Sequence, residues 1–398
     1  MRRYMPVQSN KNGQRGEMKK VIEASTAVAI GVKLCEPGVI PMYPITPQTH
    51  IVERLAEYIN NGLLKSEMIH AESEHSAISA ALGAQATGVR TFTATASQGL
   101  ALMHEILFVV SGMRLPVVMA VANRALSAPI NIWNDHQDSI SARDSGWIQL
   151  YVESAQEALD TIIQAYKIAE NRKILLPVMV CLDGFTLSHV YEQVDIPEKK
   201  YVDKFLPKYN ALFKLDPKKP ITMGPIGFPD TYMEFRKATH EAMLDSIEII
   251  KNANNDFKKS FSRSYGDGLI ETYKIDDADY AVAAMGTACG TTRVVVDELR
   301  KQGKKAGLIK IKSFRPFPKE EIINCCKNLK GIAVIDRNIS LGNEGALYTE
   351  LRSAFYNQKK KPIIKGFIAG LGGRDITTGH IKTAFEKIEN SSNTEWLL

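Results

Sequence analysis

The chain has 398 residues, of which 44% are hydrophobic and 24% are charged, and its formal net charge is +6. This length allows two or more domains with their own cores, and the composition is that of an ordinary globular protein. The basic residues are scattered in short groups, so the charge does not indicate nucleic-acid binding. The apolar stretch at 107–122 is interrupted by an arginine and a proline, so we expect no membrane-spanning helix.

The cysteines predict neither a zinc nor an iron–sulfur site, because none of them has C-x-x-C spacing. They are Cys35, Cys181, Cys289, Cys325 and Cys326. Their odd number, together with the lack of a secretory signal, predicts a cytoplasmic location. We interpret residues 1–17 as an N-terminal tail, either disordered or bound to a partner.

From residue 18 onward, predicted helices and strands alternate. Apolar residues at helical spacing predict helices at 19–35, 50–62, 73–88, 97–110 and 158–170. Short apolar runs predict buried strands at 37–44, 89–96, 115–122 and 173–183. Gly62 is a predicted C-cap, and Ser97 and Ser154 are predicted N-caps. This succession predicts a doubly wound α/β domain over residues 18–194.

The rest of the chain is predicted to hold a connector and a second α/β domain. Residues 195–274 read as an extended connector, rich in proline and lysine, with a helix at about 233–261. The second domain is predicted over 275–398. Its predicted strands lie at 280–286, 306–312, 331–338 and 362–370, and its helices at 291–302, 319–329 and 342–355.

Two glycine patterns are interpreted as structural. GDG at 266–268 is similar to the diphosphate–magnesium motif of thiamine enzymes, but the downstream asparagines of that motif are missing, so we predict a turn. MGTACGTTR at 285–293 follows a strand and opens a helix, where phosphate can bind. Its spacing is not G-x-G-x-x-G, so a packing turn is favoured over a dinucleotide site.

Two further motifs have no function that the residues alone reveal. NDHQD at 134–138 contains Asp135, His136 and Asp138, which could bind a metal. One histidine with closely spaced acids more often forms a hydrogen-bonded scaffold, so we assign no metal site. The glycines of FIAGLGGRDIT at 367–377 indicate a close backbone approach to an unidentified group.

Four stretches of the sequence resemble one family. They are YPITPQT at 43–49, the segments 72–105 and 112–147, and FIAGLGGRDIT at 367–377. They look like the alpha subunits of pyruvate:ferredoxin oxidoreductase (pyruvate synthase), within the 2-oxoacid:ferredoxin oxidoreductases. The resemblance covers nearly the whole chain, and its motifs between residues 43 and 147 are long and specific.

The resemblance implies an N-terminal domain that binds the pyrimidine half of thiamine diphosphate and a C-terminal domain like the last domain of transketolase. It implies an oxidoreductase, active only in its complex, that converts pyruvate and coenzyme A to acetyl-CoA, CO2 and reduced ferredoxin, reversibly. A beta subunit would share the cofactor and hold its diphosphate with Mg2+. The beta subunit and a ferredoxin-like delta subunit would carry [4Fe-4S] clusters, and a gamma subunit would complete the assembly.

The resemblance also implies roles for three residues. Glu74, favoured over Glu72, is placed as the acid that activates the pyrimidine, Thr46 as a substrate contact and Arg124 as the partner of the substrate carboxylate. Each has a structural alternative that the residues leave open. Thr46 could cap the following helix, Glu74 could be an ordinary first-turn acid, and Arg124 could form a structural ion pair.

Three other functions remain open at this point. The first is a 2-oxoacid oxidoreductase for a branched-chain or other acid in the same family. The second is a transketolase-type or decarboxylating enzyme that works without ferredoxin. The third is a non-catalytic nucleotide-binding or scaffold protein.

Overall fold

The structure is a computed structural model that describes residues 18–389 and 394–398. The predicted tail at 1–17 lies outside the described residues. Residues 18–261 contain eight strands and nine helices. The strands are β1 (Met18–Glu23), β2 (Val39–Met42), β3 (Glu67–His70), β4 (Phe92–Thr95), β5 (Val118–Asn123), β6 (Ile148–Val152), β7 (Val178–Asp183) and β8 (Tyr191–Ile196). The helices are α1 (Ala24–Cys35), α2 (Thr49–Asn60), α3 (Glu74–Ala86), α4 (Ser97–Leu102), α5 (His104–Gly112), α6 (Gln137–Ser141), α7 (Ala155–Ala169), α8 (Lys199–Phe205) and α9 (Tyr232–Phe261).

The second half, as far as it is described, contains seven strands and four helices. The strands are β9 (Ile270–Tyr273), β10 (Tyr280–Ala284), β11 (Ala306–Ile311), β12 (Ser313–Arg315), β13 (Gly331–Asp336), β14 (Ile363–Ala369) and β15 (Glu395–Leu397). The helices are α10 (Ala288–Lys301), α11 (Lys319–Cys325), α12 (Ala346–Phe355) and α13 (Thr378–Glu386).

The first sheet has the strand order β12-β6-β7-β5-β4, and the pair β2-β3 continues it beyond β4. Val39 in β2 forms a parallel bridge to Thr91. The Thr93 hydroxyl donates to the Pro41 carbonyl at 2.8 Å. After β3, the chain therefore returns to the other side of β2, and the boundary between β2 and β4 is a topological switch point of the kind where open α/β sheets bind ligands.

The centre of this sheet is apolar on both faces. Every residue of β5 and β7 is buried, which fits parallel strands covered by helices on each side. On one face α1 packs closely against α7, because a Cβ on Gly31 would lie only 3.0 Å from the Leu159 carbonyl oxygen. The continuous apolar runs in the sequence predicted these strands correctly.

The second sheet has the order β15-β14-β13-β10-β11-β9, and all its neighbours are parallel except the antiparallel pair β9 and β11. β9 precedes residue 275, the predicted start of the C-terminal domain. The predicted division of the chain at 194 and 274 stays a prediction. β12 crosses to the first sheet, where it pairs antiparallel with β6, so the two sheets are joined by a continuous strand connection as well as by side chains.

Several local predictions were wrong. Residues 18–23 form β1, antiparallel to β8, although they were included in the first helix. Ser97 is the first residue of α4 with Ala96 at the N-cap, and its hydroxyl donates to the Ala125 carbonyl. β3 and β6 were not predicted. The N-cap at Ser154 is confirmed, because its side chain accepts from the Glu157 N–H at 3.2 Å.

The helices of the described ranges include none that combines the length and apolarity needed to cross a bilayer.

Candidate active site

The three predicted site residues follow three parallel strands of the first sheet. Thr46 comes after β2, Glu74 after β3 and Arg124 directly after β5. Because parallel strands end at the same edge, all three lie along the carboxyl edge of the sheet, on the side of the β2–β4 switch point.

Glu74 is a buried carboxylate at the start of a helix. Ser73 caps α3 by accepting from the Ser76 N–H at 3.2 Å, and Glu74 is the first helical residue, 7% exposed. No hydrogen bond or ion pair within the described ranges involves its carboxylate. A carboxylate on a largely buried residue without a partner is costly to keep, so this position is open to a hydrogen-bond donor.

Glu72, the alternative acid, differs in its environment. It is exposed, and its carboxylate accepts from the Ser76 hydroxyl. That hydrogen bond lowers the pKa of Glu72 from its ordinary value. Its setting is that of a surface residue beside the helix N-terminus.

Gly99 in α4 makes room for the Glu74 side chain. A Cβ at this position would lie 2.7 Å from Glu74 Oε1 and 2.4 Å from Thr95 Oγ1, so a side chain cannot be accommodated without displacement. Thr95 Oγ1 and Gln98 Nε2 are buried at the same edge without a partner in the described part of the chain. These three residues were not predicted from the sequence. Thr95 lies within the strand predicted at 89–96, and Gln98 and Gly99 follow that strand.

Arg124 and Thr46 are in direct contact. Arg124 Nη1 donates to the Thr46 carbonyl at 3.0 Å, and Nε donates to the Asn131 carbonyl at 3.0 Å. Arg124 is 7% exposed, and burial lowers the pKa of its guanidinium from the ordinary value. Because the pKa of an arginine is ordinarily very high, the guanidinium stays charged. Its side chain forms no ion pair with the described residues. Thr46 is exposed and does not cap α2, whose N-cap is Gln48.

Asp138 is hydrogen-bonded both to the segment after β4, which contains Gly99, and to the segment after β5, which contains Arg124. Its Oδ2 accepts from the backbone N–H groups of Ser97 at 2.9 Å and Arg124 at 3.0 Å, which follow β4 and β5. Its Oδ1 accepts from Asn123 Nδ2 and the Ser139 N–H, both at 2.7 Å. Burial raises the pKa of Asp138, although these four donors act in the opposite direction. The sequence singled out Asp138 in NDHQD but not this connection.

His136 of the same motif faces the second domain. His136 Nε2 lies 2.7 Å from Asp183 Oδ1, and Arg337 Nη1 donates to Asp183 Oδ2 at 2.9 Å. Burial favours the neutral acid, but Arg337 and His136 outweigh it and hold the pKa of Asp183 well below its usual range. NDHQD therefore takes part in a buried hydrogen-bond network. No cluster of metal-holding geometry occurs among the residues that the structure describes.

In both glycine patterns, backbone N–H groups donate to a carboxylate of this chain. The Thr287 N–H donates to Asp183 Oδ2 at 3.0 Å, so the N-terminus of α10 faces a carboxylate of this chain. A Cβ on Gly286 would lie 2.6 Å from that carboxylate. In GDG, Asp267 Oδ1 accepts from the N–H groups of Leu269 and Ile270 at 2.8 and 2.9 Å, which closes a turn.

The buried carboxylate and its glycine lie at the switch point of a doubly wound sheet, which is the arrangement of a cofactor-binding α/β domain. Residues 30–255 match the family model of pyruvate flavodoxin/ferredoxin oxidoreductase, thiamine diphosphate-binding, and residues 278–381 match pyruvate:ferredoxin oxidoreductase core domain II. Fold and site therefore define the class of thiamine diphosphate-dependent oxidoreductases.

Comparison with known chains specifies the family. The chain is 57% identical to pyruvate synthase subunit PorA of Methanocaldococcus jannaschii, over 95% of this chain and 97% of that one. It is 45% identical to ketoisovalerate oxidoreductase subunit VorA of Pyrococcus abyssi, over 94% of each chain. The chain belongs to the pyruvate:ferredoxin oxidoreductase family, as its sequence motifs predicted.

Solved structures confirm the fold class. The 2-oxoglutarate:ferredoxin oxidoreductase of Magnetococcus marinus matches with a TM-score of 0.66 at 20% identity, over 93% of this chain and 66% of that chain. A split-gene transketolase matches with a TM-score of 0.50 at 10% identity, over 92% of this chain and 99% of that one. At these identities the likeness concerns the fold alone.

Proposed function

We propose that this chain is the alpha subunit of a pyruvate synthase. The reaction joins pyruvate and coenzyme A to give acetyl-CoA and CO2, and two electrons leave one at a time to two ferredoxins. The observation that carries the proposal is the buried, unpartnered carboxylate of Glu74 against Gly99, in a chain 57% identical to a pyruvate synthase subunit.

The site residues fit the aminopyrimidine of thiamine diphosphate. Glu74 offers a carboxylate acceptor, and Gln98 Nε2 and Thr95 Oγ1 offer buried polar atoms without partners in the described ranges. When bound, the cofactor supplies the electron sink that decarboxylation of a 2-oxoacid requires. Glu74 would accept the hydrogen bond of the ring nitrogen N1′, and burial strengthens that bond because competing water is excluded.

Arg124 is suited to hold the carboxylate of the substrate. Two of its five N–H donors are bonded to the carbonyls of Thr46 and Asn131, which fix the plane of the guanidinium and leave three donors for a ligand. Charge-assisted bonds from that plane orient a carboxylate. The Thr46 hydroxyl would donate to the carbonyl oxygen of the substrate, where negative charge develops during the reaction.

Partner subunits complete the enzyme in this proposal. A beta subunit would hold the diphosphate and Mg2+, since GDG at 266–268 forms a turn here. The beta and delta subunits would carry the [4Fe-4S] clusters, since no cysteines of this chain have C-x-x-C spacing and four of the five are buried. A gamma subunit completes the assembly, ferredoxin accepts the electrons, and the enzyme works in the cytoplasm.

Pyruvate is favoured over branched-chain acids because the PorA relative is more similar than the VorA relative. The test is to purify the native complex and measure ferredoxin reduction with a panel of 2-oxoacids and coenzyme A. We expect the highest kcat/KM with pyruvate. A higher value with 2-oxoisovalerate would assign the chain to the branched-chain group. Release of CO2 from pyruvate without acyl-CoA formation or ferredoxin reduction would reject the proposal.

Arg124→Lys tests the carboxylate contact within the same assay. Lysine keeps the charge but cannot make a planar two-point contact. Loss of one charge-assisted hydrogen bond costs about 1.5–3 kcal/mol, so we expect KM for pyruvate to rise about tenfold or more, with normal thiamine diphosphate content. An unchanged KM in a folded complex would show that the carboxylate binds elsewhere.

A further inference from the structure

The glycine-rich loop after β14, residues 370–373, contacts the segment that supports Arg124. Asn131, seven residues after Arg124, is the link between them. Its backbone carbonyl accepts from Arg124 Nε at 3.0 Å, and its side-chain Nδ2 donates to the Gly372 carbonyl at 3.0 Å. The Trp133 N–H donates to Asn131 Oδ1 at 2.7 Å, so both ends of this amide are used.

The glycines of the loop permit this contact. Gly372 and Gly373 have φ values of +59° and +81°, which disfavour other residues. A Cβ on Gly372 would lie 2.5 Å from Asn131 Nδ2, and one on Gly373 would lie 2.3 Å from Trp133 Cβ. The Gly373 N–H also donates to the Asn134 carbonyl at 2.6 Å. The group that the glycines approach is therefore the segment 131–134 of the first domain.

The segment between Arg124 and Asn131 is anchored at its first residue, where the Ala125 N–H donates to the Trp133 carbonyl at 3.0 Å, and it is exposed further on. Residues 127–130 are exposed, and Ile130 reaches 80% exposure. The Asn131 carbonyl lies at the end of this exposed stretch. The hydrogen bond from Asn131 Nδ2 to the Gly372 carbonyl holds Asn131 in place from the other domain. An acceptor held this way keeps the guanidinium in one orientation before substrate binds, which lowers the entropy cost of binding.

We propose that the glycine loop of the C-terminal domain positions Arg124 through Asn131 and thereby sets the affinity of the site for the 2-oxoacid. The inference rests on the proposed role of Arg124 as the carboxylate contact. Gly372 and Asn131 are positioning residues, because they act on the substrate only through Arg124.

Two variants and one matched control test the proposal in the reconstituted complex. Asn131→Ala removes the side-chain bonds and retains the carbonyl that Arg124 uses. Gly372→Ala places a methyl group against Asn131 Nδ2. Gly303→Ala is the control, because Gly303 also has a positive φ, +78°, but an added Cβ would meet no atom within 4 Å.

We expect both variants to raise KM for pyruvate about fivefold to tenfold, with kcat and thiamine diphosphate content unchanged, and the control to match the wild type. Calorimetric binding of oxamate, an amide isostere of pyruvate that is not decarboxylated, should weaken by the same factor. Asn131→Ala adds no atoms. If Gly372→Ala does not fold, the KM and the oxamate affinity of Asn131→Ala therefore test the proposal.

A double-mutant cycle with Arg124→Lys separates the possible failures. If the loop acts through Arg124, Asn131→Ala should change KM little in the Arg124→Lys background. An equal KM increase in both backgrounds, or a wild-type KM for Asn131→Ala alone, would overturn the loop proposal and leave the role of Arg124 intact. A wild-type KM for Arg124→Lys would remove the proposed carboxylate contact and the loop proposal with it.

Discussion

Two buried charged residues at the same sheet edge have opposite surroundings. Glu74 has no hydrogen-bond partner in the described ranges, whereas two carbonyls hold the guanidinium of Arg124. An unpartnered carboxylate favours a bound donor, and a fixed guanidinium favours a bound anion. The two residues therefore suit different ligands, which in our proposal are the cofactor ring for Glu74 and the substrate carboxylate for Arg124.

Glu74→Gln tests the cofactor contact at the residue scale. The amide has nearly the same shape but is a weaker acceptor, so we expect the fold to remain and cofactor activation to slow by about a hundredfold. The measurement is hydrogen exchange at the thiazolium C2 in the reconstituted complex. Glu72→Gln is the matched control, because Glu72 is exposed two residues earlier. A slow exchange rate in the control and a normal one in Glu74→Gln would reverse the assignment.

At the scale of elements, the site depends on how the ends of β4 and β5 are held together. Ser97 lies two residues after β4 and Arg124 directly after β5, and the backbone N–H groups of both donate to Oδ2 of Asp138. α6, which begins at Gln137, carries this acid to the sheet edge. The short helix thus fixes the register of two strand ends relative to one another.

Asp138→Asn should loosen this connection. Both carboxylate oxygens accept two hydrogen bonds, so an amide nitrogen in either position leaves N–H donors unpaired, at a cost of about 1–3 kcal/mol for each. We expect lower resistance to urea and a higher KM for pyruvate. Asp144→Asn is the control, because its side chain is 77% exposed. Wild-type stability and KM in Asp138→Asn would contradict the role that we assign to it.

At the scale of the whole molecule, a buried ion cluster joins the two domains. Glu157 in α7 is fully buried, 2.8 Å from Lys310 Nζ and 2.7 Å from Lys312 Nζ. Burial alone would raise the pKa of Glu157, but the two lysines outweigh it and lower the pKa to about 2. The lysines lie at the end of β11 and just after it, beside the strand connection from β11 through β12 to the first sheet.

This lowered pKa predicts a pH-dependent contribution to stability. The folded protein holds the Glu157 proton less tightly than the unfolded chain, so the contribution is present above about pH 4.5 and is lost as pH falls towards about 2. Glu157→Gln should cost about 3–5 kcal/mol at pH 7, because buried Lys312 loses its carboxylate partner, while Lys310 keeps Glu153 and Glu271. The deficit should shrink by about 1.4 kcal/mol per pH unit below pH 4.5.

Urea unfolding of both proteins between pH 7 and pH 3 measures this difference. Glu36→Gln is the control, since Glu36 pairs with Lys199 at the surface and is 63% exposed. Its deficit should stay within about 1 kcal/mol at all pH values. A Glu157→Gln deficit that does not change with pH would mean that the carboxylate charge is not the source of the stability.

The sequence by itself determined the alternation of elements, the central strands and the family. Short unbroken apolar runs favour buried strands of a covered sheet, as in β5 and β7, and amphipathic spacing indicates that α7 and α9 are helices. The site residues Thr46, Glu74 and Arg124 were proposed from motifs that lie within 79 residues of one another in the chain, 46–124.

Only the tertiary structure decided which residues support those three. The role of Gly99 in making room for Glu74 is visible only when the two residues lie side by side. Asn131 is hydrogen-bonded to Gly372, which lies 241 positions further along the sequence. Ser97 seemed to be a helix cap because its type and position favour one, yet its hydroxyl donates to the Ala125 carbonyl of the neighbouring strand end. Local patterns fix which segments are helices or strands through propensity and burial, whereas hydrogen bonds between distant segments depend on packing that no local pattern contains.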